Sequence, residues 1–269
     1  MADVTKTIYQ ELAELERKNE LAALCIVVRS QGSTPRRATS KMLVYPDGTF
    51  IGTVGGGEME SRVIAEARQA MLDGKARLVE YNMSDPSRGD PGVCGGQMEI
   101  FVEPILPKPT LVLVGAGHVG KAVVHLAHWL GFRVAVSDDR PEFCTPEAIP
   151  DADEYYPLPL AELTSRLAVH RWTYFVLTTR SVDIDVPGLP ALLESPAAYI
   201  GVIGSRRRWT TTRQQLLEKG IPEADLERVR SPMGLDLHAE TPEEIAVSIM
   251  AEVIQVMRRD TERSAHAGE

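Results

Sequence analysis

"TLVLVGAGHVGKAVVHLAHWLGFRVAVSDD", residues 110–139, decides the fold of the second half of the chain. "TLVLV" reads as a buried strand, Gly115-Ala-Gly117-His-Val-Gly120 as a turn, "KAVVHLAHWLG" as a helix and "FRVAVSDD" as a second strand. A glycine pattern of this kind is weak by itself. Here it follows a strand and opens a helix, and Asp138 stands 18 residues after its last glycine at the end of the next strand. Gly115 and Gly117 let the turn tighten and the backbone approach a pyrophosphate, while Gly120 lets the helix pack on the strand. His118 lies inside the turn, facing either a ligand's phosphates or solvent. Asp138 is placed to accept from a ribose hydroxyl pair and to repel a 2′-phosphate.

Working outward, strand and helix patterns keep alternating. "YFVLTT" and "YIGVIGS" read as strands followed by a loop and a helical stretch, and "RVRSPMG" leads to a long closing helix. That helix is signalled by Thr241 as N-cap, Pro242 at its first position and Glu244 completing a capping box. The order predicts a doubly wound, Rossmann-like parallel sheet over residues 106–269, with "TERSAHAGE" as a frayed tail. A second charged turn, "GVIGSRRRW", offers amides at Gly204 and Ser205 and guanidinium groups from Arg206 onward. Three arginines at a helix N-terminus oppose the helix dipole and call for a compensating anion; a solvated basic helix start is the plainer alternative.

Upstream, Pro104, Pro107 and Pro109 break "PILPKPT" and mark the boundary of a first domain, residues 1–105. It reads as mixed α/β: a helix to about residue 18, an apolar strand "LAALCIVVRS", a hairpin over 41–54 and a helix ended by Gly74. Two more strands follow, with a long loop between them. "GSTPRR" brings Gly32, Ser33 and Arg36 together, and "GTVGGGEMES" brings Gly55, Gly56 and Gly57. On spacing alone these are tight turns; as a site, their hydroxyls, charge and bare backbone suit an anion or a flat group. Cys94 sits in "GDPGVCGGQ", where flanking glycines expose the sulfur and nearby amides favour thiolate. Such a thiolate suits a soft metal or a transferred sulfur atom.

Composition narrows the class. Net charge is −9, which argues against broad nucleic-acid binding but not against a small anionic ligand held by local arginines. No apolar run approaches the ~20 residues that span a bilayer, and the charged start lacks a signal core. Three cysteines imply no disulfide framework, so a reducing cytoplasmic setting is expected. No H-E-x-x-H, C-x-x-C, G-x-S-x-G or P-loop pattern is present, and His125 with His128 lacks a third ligand nearby in sequence, so no direct metal site is expected.

"GSTPRRATSKMLVYPDGTFIGTVGGGEMES", "VCGGQMEIFVEP", "GAGHVG…DDRPEF", "GVIGSRRR" and "SPMGLDLHAETPEEIAVSI" occur in that order between about residues 20 and 258. Together they resemble the XdhC/CoxI family, accessory proteins of xanthine dehydrogenase and related molybdenum hydroxylases. The resemblance implies an N-terminal XdhC/CoxI domain, a C-terminal Rossmann-like domain and a chaperone rather than a catalyst. Family members bind molybdenum cofactor, as molybdopterin or a dinucleotide form, and protect it while a cysteine desulfurase installs its terminal sulfido ligand. They then deliver it to the client enzyme. Gly32, Ser33, Pro35, Arg36, Gly55, Gly56, Gly57, Glu60, Cys94, Gly95 and Gly96 match family motifs, which implies a cofactor surface with Cys94 beside molybdenum or its sulfur. "TTRSVDIDVPGLPALLES" departs from the His-Asp-His type sequence of many members, so no metal or catalytic role carries over to it. A homodimer is expected. The rival reading is an NAD-dependent oxidoreductase in which Asp138 selects NAD over NADP. Against it, no general acid/base pair follows the glycine motif. A third is a docking scaffold whose Rossmann unit holds no nucleotide.

Overall fold

The computed structural model describes residues 7–32, 37–82 and 96–266, the stretch 260–266 as backbone alone. The chain divides into two units, one made of the residues up to Pro107 together with the stretch from Arg263 onward, and one running from Lys108 to Glu262.

In the first unit, α1 (Ile8–Lys18) opens on a capping box in which Gln10 Oε1 accepts from the Thr7 amide at 2.8 Å. Five strands follow: β1 (Ala22–Gln31), β2 (Lys41–Val44), β3 (Phe50–Gly52), β4 (Arg77–Asn82) and β5 (Gln97–Ile105). They pair antiparallel in the order β3-β2-β1-β5-β4. β1 is apolar through its first half because both of its faces are covered. Ala23, Cys25 and Val27 meet Met59, Val63 and Ala67 of α2 (Gly57–Asp73), while Ala22 and Leu24 meet Leu15 of α1. Pro104 does not break the structure as the sequence suggested: β5 runs through it, opposite Ala23. The β4 ladder has already ended at Val102, so beyond that residue β5 is an edge on one side and tolerates a residue without an N–H.

The second unit carries six parallel strands: β6 (Thr110–Val114), β7 (Arg133–Ser137), β8 (Glu154–Tyr156), β9 (Thr173–Leu177), β10 (Tyr199–Val202) and β11 (Val229–Arg230). Their order, β11-β10-β9-β6-β7-β8, is the doubly wound arrangement, with its topological switch between β6 and β9. The alternation in β6 shows both faces in use. Leu111 and Leu113 pack on one side with α3 (His118–Trp129) and α8 (Pro242–His266). Val112 and Val114 pack on the other with α4 (Leu160–Leu163), α5 (Val182–Leu193) and α6 (Arg206–Glu218). A short α7 (Glu223–Leu226) precedes β11. Thr241 and Glu244 form the expected capping box on α8, whose backbone stays helical to His266 where the sequence suggested fraying.

Residues 182–193 form the helical stretch expected after "YFVLTT", and they do so despite Pro187 and Pro190. Val186, Leu189, Leu192 and Leu193 are buried along one side of α5, and this tertiary packing outweighs the backbone hydrogen bonds that the prolines remove.

Candidate functional site

The Rossmann unit has a cleft of about 180 Å³ at the switch point, lined by the ends of β6 and β9 and by the chain that leaves β7. Gly115 begins the turn, where an added Cβ would lie 2.7 Å from the Thr178 carbonyl oxygen. Gly120 packs α3 against the turn, since a Cβ there would run into the Gly115 carbonyl oxygen. Gly117, the N-cap of α3, differs: a Cβ built on it meets no atom within 4 Å. The open space beside Gly117, at the amino end of a 12-residue helix, fits a phosphate group. His118 is exposed on the first turn.

Asp138 follows the end of β7 and lines the cleft, as its sequence position suggests, but its carboxylate is already engaged. Its side chain is 1% exposed and all of its acceptor capacity is in use. Oδ2 accepts from the Ala116 amide at 2.8 Å and from Arg140 Nη2 at 2.9 Å. Oδ1 accepts from the Arg140 amide at 3.0 Å and from Arg140 Nε at 2.9 Å. Burial pushes this carboxyl up, but the guanidinium and the two amides outweigh burial and hold it below the usual carboxylate value. The Arg140 guanidinium lies over the Phe143 ring at 3.9 Å. Beside it, Arg180 makes a two-pronged pair with Asp139, both bonds 2.6 Å.

The charged turn after β10 also resolves. Ser205 caps α6 by accepting from the Arg208 amide, and Arg206 and Arg207 are exposed on the first helical turn. An added Cβ on Gly204 would press on Arg208 Cδ at 2.9 Å. Arg208 turns inward: it donates to the Thr179 carbonyl and hydroxyl oxygens at 2.8 Å each, and to Asp185 Oδ2 at 2.5 Å. For Arg208, then, the compensating anion is the fully buried Asp185 of α5, not a ligand.

In the first unit the register brings two of the motif glycines to neighbouring strand ends. Gln31 pairs with Gln97, so Gly32 and Gly96, 64 residues apart, leave adjacent strands. Thr53, leading into Gly55–Gly57, donates its amide to the Lys41 carbonyl at 3.0 Å, where β2 pairs with Ile26 in the middle of β1. Gly56 and Gly57 adopt φ of +85° and +61° with open space about them, and Glu60 braces their turn by accepting from Thr53 Oγ at 2.5 Å. Ser33, Arg36, Cys94 and Gly95 lie outside the described residues. A pocket of about 240 Å³ opens beside these strand ends, lined by Arg29, Gln31, Glu80, Asn82, Gln97 and Glu99 among others. Registers Gln31↔Gln97 and Asn82↔Gln97 set three side-chain amides in a row across β1, β5 and β4. Sequence reasoning missed this row, because only strand pairing assembles it.

The two cysteines among the described residues are core residues. Burial pushes the Cys25 thiol up to about 12 and raises that of Cys144, whose Sγ donates to the Val136 carbonyl at 3.3 Å. In native protein near pH 8, neither is expected among the thiols that react quickly with a disulfide reagent. Peptide mapping that finds rapid labelling at either would contradict this burial. Among the described residues no group of three His, Cys, Asp or Glu side chains could hold a metal ion, and His125 pairs with Asp151 at 2.7 Å. Among them, too, no helix is long and apolar enough to cross a membrane.

Comparison with known proteins agrees with both halves of this architecture. The family model of the XdhC Rossmann domain matches residues 111–253, and that of the XdhC and CoxI family matches residues 15–82. The chain is 38% identical to YqeB of Escherichia coli (strain K12) over 93% of its own length and 46% of that protein. It is 36% identical to a Bacillus subtilis (strain 168) protein named as a probable xanthine dehydrogenase subunit, over 60% of this chain and 46% of the relative. It thus spans about half the length of these two relatives. PaoD of Escherichia coli, named as a molybdenum cofactor insertion chaperone, is 24% identical over 98% of this chain and 92% of PaoD. A crystal structure described as a xanthine dehydrogenase from Bacillus halodurans shares the fold, with a TM-score of 0.51 at 24% identity over 93% of this chain and 95% of that one. With more than half of its residues inside the Rossmann-domain match and the amino-terminal match lying ahead of it, this chain belongs to the XdhC and CoxI family.

Proposed function

We propose that the protein binds molybdenum cofactor, shelters it during sulfuration and hands it to a xanthine dehydrogenase-type molybdenum hydroxylase. The observation that carries this reading is the β1–β5 register, which roots the 32–36 and 94–96 motifs on neighbouring strands beside a pocket with three side-chain amides. Their mixed donors and acceptors suit the hydrogen-bonding edge of a pterin ring. The turn at Gly56 and Gly57, leading into the 17-residue α2, offers bare amides to a phosphate. Arg36, in the same sequence motif as Gly32, and Arg206 in the Rossmann unit are the candidate anion clamps. Cys94, two residues before Gly96, supplies a thiol for contact with the metal end. When bound, the cofactor supplies the molybdenum centre that the client uses; this chain supplies grip, orientation and shelter.

PaoD, a relative matched along nearly the whole chain, is named for this role, and that favours a chaperone over the oxidoreductase alternative. A client hydroxylase and a cysteine desulfurase are the partners this role requires, in a reducing cytoplasm and with the chain acting as a homodimer. The test is protein purified from a molybdenum-replete host, assayed for molybdenum and for pterin fluorescence after oxidation. Near-stoichiometric amounts of both are expected, with at least a tenfold loss in Cys94→Ser of its ability to activate a co-expressed hydroxylase. Absence of both signals, or NADH turnover with a carbonyl substrate, would overturn the reading.

A further inference from the structure

The cleft of the Rossmann unit has an unusual division of labour at its ribose end. In folds of this type an acid at the end of the second strand accepts from a free ribose diol, and a nearby arginine accommodates a 2′-phosphate instead. Here Asp138 stands in the acid's place but has nothing left to accept with. Its four acceptor positions are filled by two amides and by Nε and Nη2 of Arg140.

Arg140 is the group left with hydrogen-bonding capacity. Its Nη1 has no protein partner among the described residues, its side chain is 35% exposed, and it lines the cleft. Phe143 lies under its guanidinium plane, so Asp138 and Phe143 together fix its direction. Because Asp138 balances Arg140 and Asp139 balances Arg180, an incoming phosphate meets no uncompensated carboxylate.

We propose that Arg140, held by Asp138, reads the ribose end of a nucleotide in this cleft, and that the site prefers a ribose bearing a phosphomonoester to one with a free diol. Asp138 is then a positioning residue and not a ligand contact. This inference rests on the Rossmann unit alone and stands or falls apart from the pterin reading. It also reverses the cofactor preference that Asp138 suggests from sequence.

Two probes that differ by one group make the test: adenosine 2′,5′-bisphosphate and adenosine 5′-monophosphate, titrated calorimetrically into the full chain. The bisphosphate is expected to bind at least tenfold more tightly, and inorganic phosphate alone at the same concentrations to give no comparable heat. Arg140→Ala, checked for an unchanged thermal transition, should lose that ratio and, by uncovering Asp138, move preference toward the monophosphate. Arg140→Lys keeps the charge without the fork and should retain only part of the ratio. Asp138→Asn should lower the ratio as well, because the guanidinium is no longer clamped. The ratio in the unaltered protein is decisive even if a variant fails to fold. Equal or tighter binding of the monophosphate, no saturable heat with either probe, or a ratio that survives Arg140→Ala would each overturn the proposal.

Discussion

Asp185→Ala is expected to destabilise the Rossmann unit by about 3–5 kcal/mol, the usual cost of removing one partner from a buried ion pair. Asp185 is fully buried, accepts from the Thr179 hydroxyl at 2.5 Å, and faces an Arg208 whose side chain is only 19% exposed. Among the described residues the Nε of Arg208 is buried without a partner, so losing the carboxylate would leave a nearly enclosed guanidinium with little beyond the Thr179 oxygens. Chemical denaturation of the variant measures the effect. The paired replacement Asp185→Leu with Arg208→Met removes both charges and should be less harmful than Asp185→Ala alone, a coupling that a double-mutant cycle reads directly. A loss below about 1 kcal/mol for Asp185→Ala would mean that water or rearrangement compensates the arginine.

Gly120→Ala should cost about 2 kcal/mol, the range for forcing one extra carbon into a filled contact. The new methyl group would press on the Gly115 carbonyl and approach Leu113 Cδ2 and Thr178 Oγ at 3.0 Å each. Alanine's better helix propensity, worth up to about 1 kcal/mol, opposes this only in part, because the nearest obstacle is backbone. Gly117→Ala provides the contrast. It meets nothing within 4 Å, so stability should change by less than about 1 kcal/mol while nucleotide affinity falls. Denaturation curves and adenosine nucleotide titrations on the two variants separate the two roles, and similar destabilisation in both would refute the distinction.

The strand–turn–helix–strand segment was readable because each of its parts is local: apolar runs, glycine spacing and a carboxylate at a fixed offset. Gly115 lies in the tight turn and Gly120 in the helix contact, the places their spacing predicts. The carboxylate does not stand free, because Arg140, only two residues on, folds back over it with Phe143 behind, and no periodicity encodes that return. A helix after "YFVLTT" was legible, but not its span across Pro187 and Pro190, whose local preference is outweighed by burial of Leu189 and Leu192. The amide row was invisible for a different reason. Gln31, Asn82 and Gln97 belong to three strands, and nothing short of the register tells which strand ends are neighbours. Cys94 lies outside the described residues, and its reading rests on its motif alone.

The Asn82↔Gln97 pair has one more consequence. It closes β4 onto β5, so the chain leaves the sheet at Asn82 and returns to it at Gln97 with those two positions side by side. Doubling the length of such a connection adds only about 0.6 kcal/mol of closure entropy. The strand pairing beneath therefore sets little thermodynamic limit on the length of the connection that carries Cys94.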